Sequence, residues 1–555
     1  MSVFGVLGVA TGSFSTADWL VIAAYFMVIA GVVWWVVKRG QRSSTDYFLA
    51  SRDVGWFVIG GSIFASNIGS EHLVGLAGAG VDSGMAMAHY ELHAWCILVL
   101  GWLFVPFYAR SAVFTMPEFL ERRYSPAARW FLSVISLVAY VLTKVSVALY
   151  AGGIVFKALF PEPFFQGIDN FWLGAMGVLI ITGIYTVLGG LRAVVYTDSI
   201  QAILLIVGSA VVTIIGLYKV GGWSQLREIC GSEHFNLWKP HDHPKFPWTG
   251  ILFGAPIVGL WYWCTDQYIV QRALAARDET QARRGCIFAS YLKITPVFIF
   301  IIPGMIALAL REKGLLQFGE SDLAFPTLVK ALLPAGLRGL VVGGLLAALM
   351  SSLSSVFNSC STLFTVDIYE KLRPGASERT LVRVGRIATA VMVLLGMLWI
   401  PFMKYISGVL YVYLQSVQAY IAPPIFAVFF LGVFFKRINA AGCLTGLIGG
   451  FILGMARLVA ELAKDYLQGW PILHRLGTLN FLHFCLLLLA VCVAAIVIVS
   501  LLTQRPSETQ LNGLTYATVT ANDREKSRAS WSYVDIIHTA IVLSIIAAVY
   551  IYFSG

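Results

Sequence analysis

The stretch Ser62-Ile-Phe-Ala-Ser-Asn-Ile-Gly-Ser-Glu-His-Leu-Val-Gly-Leu-Ala-Gly-Ala-Gly80 decides the fold class. It is apolar enough to enter a bilayer, yet Asn67, Glu71 and His72 sit in its middle. A charged side chain at bilayer depth costs on the order of 3 kcal/mol even on the gentlest scales. The pattern recurs outward from this stretch. Glu91 lies in the next apolar segment, Lys293 in another and Gln415 in a fourth. Such groups in several helices imply a polar pocket at mid-membrane, the arrangement that passes a solute across. Gly69, Gly75, Gly78 and Gly80 crowd the same stretch. Glycine permits local unwinding, and the carbonyls this frees are tolerated in a membrane only where a cavity, an ion or a partner satisfies them. Glycines alone suit close helix packing equally well; the neighbouring Asn67, Glu71 and His72 favour a break.

The composition agrees. Of 555 residues, 58% are hydrophobic and 12% charged, against roughly 25% charged in soluble domains. Mean hydropathy is +0.79. Repeated apolar runs of about 20 residues mark a polytopic helical membrane protein; a β-barrel would show alternating segments of about ten. A window reading places about 14 spans, at 17–38, 54–80, 85–109, 127–158, 169–187, 193–219, 248–272, 284–311, 338–371, 382–404, 407–433, 438–462, 477–502 and 532–553. The first run lacks a basic leader and reads as a retained helix. The polar stretch 504–530 reads as a cytoplasmic linker, and the chain stops shortly after its last helix, with no regulatory tail expected.

With both termini outside, cytoplasmic segments hold 24 of the 39 basic residues and outer segments 13. The net charge of +10 thus reflects topology and lipid contact, not nucleic-acid binding. The eight cysteines form no disulfide framework or Cys-x-x-Cys pair. There is no Asn-x-Ser/Thr sequon, phosphate-binding glycine loop or Gly-x-Ser-x-Gly. ATP-driven transport and hydrolase chemistry both lose support.

The chain resembles the solute:sodium symporter family, and within it the sodium/glucose cotransporters, nearly end to end. The resemblance rests on Ala65-Ser-Asn-Ile-Gly-Ser-Glu-His72, Gly101-Trp-Leu-Phe-Val-Pro106, Thr115-Met-Pro-Glu-Phe119, Leu260-Trp-Tyr-Trp-Cys-Thr-Asp-Gln267, Ile269-Val-Gln-Arg272 and Met350-Ser-Ser-Leu-Ser-Ser-Val-Phe-Asn-Ser359. It implies an all-α membrane fold with a LeuT-type core of two inverted five-helix repeats, each opened by a broken helix. The expected divisions are 1–53 for an extra helix and loop, 54–219 for the first repeat and 220–247 for an outer loop. The second repeat is expected at 248–433, with peripheral helices over 434–555.

Sugar recognition needs donors and acceptors for several hydroxyls and an apolar face for the ring. The resemblance assigns these tasks to Asn67, His72, Glu91, Lys293 and Gln415, with Tyr262 as inner gate and Trp263 as stacking ring. Tyr90 and Tyr411 fall at the outer gate, and Tyr411 stands where the glucose carriers commonly have Phe. Glu91 also reads as a structural partner of Lys293. Glu71 reads as a structural or coupling carboxylate, and Lys144 and Asp266 as structural or cavity-rim residues. The family often has an acid shortly after the lysine; here Val147 and Ala148 stand nearby.

Sodium prefers hard oxygen ligands, which serine hydroxyls and freed carbonyls supply. The resemblance implies a main sodium site of the Ala65, Ile68 and Ala348 carbonyls with the Ser351 and Ser352 hydroxyls. Ser351 and Ser355 share a helix face. Family members that carry two sodium ions combine such serines with an aspartate, so a second site is expected at Asp198, Ser354 and Ser355.

The resulting expectation is sodium-coupled symport of a monosaccharide of glucose or galactose type, with two sodium ions per sugar. Alternatives are a carrier of myo-inositol or another polyol, or a sugar-gated sensor or channel. Gln415 argues against the sensor, because the family's non-transporting sensor has Glu there. No catalytic dyad or metal cluster points to an enzyme. No cofactor beyond the coupling ion, no nucleic acid and no obligate protein partner is expected. The expected location is a bacterial inner membrane.

Overall fold

The computed structural model describes residues 14–40, 43–69, 71–403 and 410–554; the side chains of 142, 399–403 and 410–413 also lie outside the description. The described chain is helical, with only isolated β-bridges. The principal helices are α1 (Thr16–Arg39), α2 (Trp56–Asn67), α3 (Glu71–Ser111), α4 (Pro126–Leu159), α5 (Asn170–Val220), α6 (Trp248–Cys264) and α7 (Gln267–Leu274). They continue with α8 (Glu279–Glu312), α9 (Leu337–Leu372), α10 (Glu378–Met403), α11 (Leu410–Phe434), α12 (Ala440–Leu462), α13 (Phe481–Leu502) and α14 (Tyr533–Tyr552).

Eleven described helical runs are long and apolar enough to cross a membrane, against about 14 spans expected. The difference comes from breaks and fusions. Spans 54–80 and 85–109 become the short α2 and the run α3, which turns at Gly84 (φ 58°, ψ −132°). Spans 169–187 and 193–219 are the two limbs of α5, two helices that meet at a non-helical Gly190. Span 248–272 is cut into α6 and α7, each too short alone. Gly190 adopts φ 54° and ψ −156°, a conformation open only to glycine without strain. The carbonyl of Tyr47 would lie 2.5 Å from any Cβ there.

Local sequence sets the ends. Ser15 and Asp18 form a capping box on α1, whose last turn carries Lys38 and Arg39, matching the helix dipole at both ends. Asp18 also accepts from the backbone amides of Gly336 (2.7 Å) and Gly339 (2.9 Å). One buried carboxylate therefore caps its own helix and the start of α9.

The interior crossings explain the glycines after the break. A Cβ on Gly304 of α8 would lie 2.0 Å from the carbonyl of Ala77, and one on Gly80 would lie 2.5 Å from that of Ile301. Here α3 and α8 touch backbone to backbone, as small residues allow in membranes. Gly304→Ala is expected to destabilise the protein by about 1–3 kcal/mol through overpacking, read as a lowered melting temperature in detergent. An unchanged melting curve would mean that the two helices separate freely.

Candidate site at two facing helix breaks

Two interruptions face one another. Helix α2 ends at Asn67; Ile68 leaves the helix (φ −86°, ψ 98°) and α3 restarts at Glu71. Helix α6 ends at Cys264, and Asp266 caps α7 by accepting from the Tyr268 amide (3.2 Å). The Tyr268 hydroxyl donates to the freed carbonyl of Ser66, linking the breaks. Ser352 reaches the same carbonyl from α9 at 3.4 Å.

Beside the breaks lies a cavity of about 60 Å³. Asn67, His72, Tyr262, Trp263, Lys293 and Gln415 line it, as does Tyr90. Asn67 Nδ2 donates to the Tyr262 hydroxyl (3.2 Å). Tyr262 stands edge-on to Trp263, with centroids 5.0 Å apart and planes at 86°. Lys293 Nζ lies 5.6 Å from the Trp263 centroid and donates to Glu91 Oε2 at 2.6 Å. Glu91 is not among the lining residues; fully buried, it stands behind Lys293, 3.6 Å from His72 Nε2. The side chain of Tyr411 lies outside the described residues.

Lys144 closes one wall. Its ammonium donates to Asp266 Oδ2 at 2.7 Å and lies 3.7, 4.7 and 4.8 Å from the ring centroids of Tyr268, Tyr262 and Tyr140. A desolvated cation among aromatic faces gains about 2 kcal/mol from them. Tyr140 donates to the other oxygen of Asp266. Of the pair read as structural or cavity-rim residues, Lys144 thus lines the cavity and lies over the expected inner-gate tyrosine, with Asp266 behind it.

On the far side of Ser66 lies a second polar cluster, wholly buried. Asp198 accepts from Ser62 (2.7 Å), Ser66 (3.2 Å) and Ser351 (2.7 Å). Arg272 Nε donates to the Ser66 hydroxyl (2.8 Å), which also meets Ser355 (2.8 Å). Of the residues expected at the second sodium site, Asp198 and Ser355 belong to this cluster. The Ser354 hydroxyl instead turns to the carbonyl of Ser351 on its own helix (2.9 Å). Ser351, expected at the main site, faces Asp198. Ala65, Ile68, Ala348 and Ser352 are buried around the α2 break and the facing stretch of α9.

A profile of the Sodium:solute symporter family matches residues 47–450. The chain belongs to that family. It is a multi-pass membrane transporter that couples solute movement to sodium, and not an enzyme. It is 39% identical over 548 residues to sodium/myo-inositol cotransporter 2 of Oryctolagus cuniculus, covering 91% of this chain and 80% of that relative. It is 37% identical over 532 residues to sodium/glucose cotransporter 1 of the same species, covering 88% and 79%. Among solved structures, a Na+-coupled sialic acid symporter in a substrate-bound outward-open state superposes with a TM-score of 0.75. That match has 23% identity and covers 89% of this chain and 99% of the other. This last likeness speaks for the fold.

Several lining residues of this symporter escaped the sequence reading. Gln418 follows Gln415 by three residues and His93 follows Tyr90 by three; helical spacing puts each on its neighbour's face. Ser62 and Ser66 are four apart on α2, and that spacing was the available signal for their shared hold on Asp198.

Proposed function

We propose that this symporter carries a neutral monosaccharide, glucose or galactose in type, into the cell by alternating access, with two sodium ions per sugar. The cavity carries the reading. It sets amide and ammonium groups of Asn67, Gln415 and Lys293 beside the rings of Tyr262 and Trp263, the mix of polar groups and flat apolar surface that a sugar needs. Myo-inositol is the second reading: it presents the same hydroxyl-rich ring, and one similar relative bears its name. A sugar-gated sensor or channel on the same fold draws no separate support.

In this reading Asn67, His72, Lys293 and Gln415 contact the sugar, and Glu91 acts by holding Lys293 and His72. Tyr262 is the inner gate, and Tyr90 and Tyr411 form the outer one. The main sodium site takes Ala65, Ile68, Ala348, Ser351 and Ser352; the second takes Asp198, Ser354 and Ser355. Counting α2 and α3 as two crossings, the limbs of α5 as two, and α6 with α7 as one gives fourteen crossings. Repeats at 54–219 and 248–433 would each open on an interrupted helix, with 1–53, 220–247 and 434–555 outside them. The basic-residue bias puts both termini outside, and the missing sequons suit a bacterial inner membrane.

The test is radiolabelled sugar uptake into proteoliposomes with and without an inward sodium gradient. Accumulation of glucose or galactose only with the gradient is expected. Preference for myo-inositol would select the second reading, and sodium current without accumulation would select a channel. Tyr262→Ala is expected to speed release of bound sugar at least tenfold in stopped flow, since it removes both the ring and the Asn67 contact. Release no faster than in the unmodified protein would place the gate elsewhere.

A further inference from the structure

Three carboxylates and two ammonium groups surround the sugar cavity. Each ammonium already holds a carboxylate: Lys293 lies 2.6 Å from Glu91 and Lys144 lies 2.7 Å from Asp266. Glu71 is in excess. It lines the cavity directly, with 13% of its side chain exposed. Among the described residues its one ion-pair contact is His72 Nδ1, at 3.7 Å. His72 stands between two carboxylates, and an imidazole is ordinarily neutral at pH 7. Counted with Glu91 and Asp266, which stand behind the two lysines of the wall, the formal balance is therefore one negative charge. Gly69 makes room for this. A Cβ there would lie 2.2 Å from Glu71 Oε2, so glycine lets the carboxylate fold back against the break.

A second observation comes from Asn67. Its side chain lines the same cavity and is 9% exposed; its Oδ1 is a buried acceptor without a hydrogen-bond partner among the described residues. Two acceptors, one charged and one neutral, therefore await a donor. An ammonium group offers three donors and no acceptor, whereas a carboxylate offers acceptors only. Hydrogen bonds with a charged partner are roughly twice as strong as neutral ones.

We propose that Glu71, with Asn67, makes the cavity selective by charge, so that it admits sugars carrying a protonated amine and rejects those carrying a carboxylate. The inference rests on the sugar-carrier reading and extends its substrate class from neutral rings to cationic ones while excluding anionic ones.

The test uses the unmodified protein and Glu71→Gln in proteoliposomes at neutral pH, where most of the glucosamine amine is protonated. The tracer is whichever of glucose or myo-inositol the unmodified protein accumulates, with glucosamine and glucuronate as competitors. Glucosamine is expected to half-inhibit at a concentration at least tenfold below that of glucuronate, and Glu71→Gln is expected to narrow that ratio at least tenfold. Equal potency in the unmodified protein overturns the proposal, as does a ratio that Glu71→Gln leaves alone. A raised half-saturating sodium concentration with an unchanged ratio would mean that the carboxylate serves the ion, and overturns it too. If Glu71→Gln does not fold, tryptophan fluorescence of the purified unmodified protein decides, titrated with the same two competitors in sodium; equal binding overturns the proposal. Failure of the carrier reading is separately visible, because neither neutral tracer would then accumulate, while the fluorescence titration still reports the preference between amine and carboxylate.

Discussion

Lys293→Met is expected to abolish sodium-driven solute accumulation and to destabilise the protein by about 3–5 kcal/mol, the usual cost of removing one partner from a buried ion pair. Lys293 and Glu91 are 2.6 Å apart, with side chains 3% and 0% exposed. Without the ammonium, Glu91 keeps a buried charge 3.6 Å from the His72 ring. The double variant Lys293→Met with Glu91→Leu separates folding from function. Replacing a whole buried pair by apolar side chains is often neutral for stability, so the melting temperature should recover while uptake stays lost. Uptake restored in the double variant would show that the pair only supports the wall and takes no part in holding solute.

The second large effect concerns stoichiometry. In Asp198→Ala the charge-to-solute ratio, read from reversal potentials in proteoliposomes, is expected to fall from two to one. Asp198 gathers the hydroxyls of Ser62, Ser66 and Ser351 in a fully buried cluster, and it is the carboxylate at the proposed second sodium site. Each charge moved down 100 mV yields about 2.3 kcal/mol, so two yield roughly 4.6. At about 1.4 kcal/mol per decade, two ions support a concentration ratio of roughly two thousand from voltage alone, and one ion supports about fiftyfold. A ratio of one in the unmodified protein, unchanged in Asp198→Ala, would remove the second ion and leave the first. The serines refine the test. Ser354 bonds within its own helix while Ser355 and Ser66 touch, so Ser66 is the better companion substitution.

The membrane class and several residues of the cavity wall were legible because both rest on single residues in conspicuous places. A charge or amide inside an apolar run, as at His72, Lys293 or Gln415, is visible without coordinates. The helix count was less legible. A hydropathy window averages over a break, so it joined α6 to α7 across Asp266, whereas the division at Gly190 between the two limbs of α5 was legible. Pair geometry was legible only in part. Glu91 read both as a sugar contact and as a structural partner of Lys293, and the pair is present; nothing near Lys144 announces three tyrosine rings around its ammonium. Those facts depend on which helices cross and at what height, and side chains from α3, α4, α6, α7 and α8 meet only after that is set.

Ser66 carries a last consequence. Its carbonyl is shared by Tyr268 and Ser352, and its hydroxyl is held by Arg272 and touches Asp198 and Ser355. A shift on either side of this residue must be felt on the other. Coupling of that kind is reciprocal: whatever factor sodium adds to the affinity for solute, solute adds to the affinity for sodium. Such reciprocity has no preferred direction. Nothing at Ser66 distinguishes filling a cell from emptying it, so the sense of net flow belongs to the two gradients, and a reversed sodium gradient should run the same molecule as an exporter.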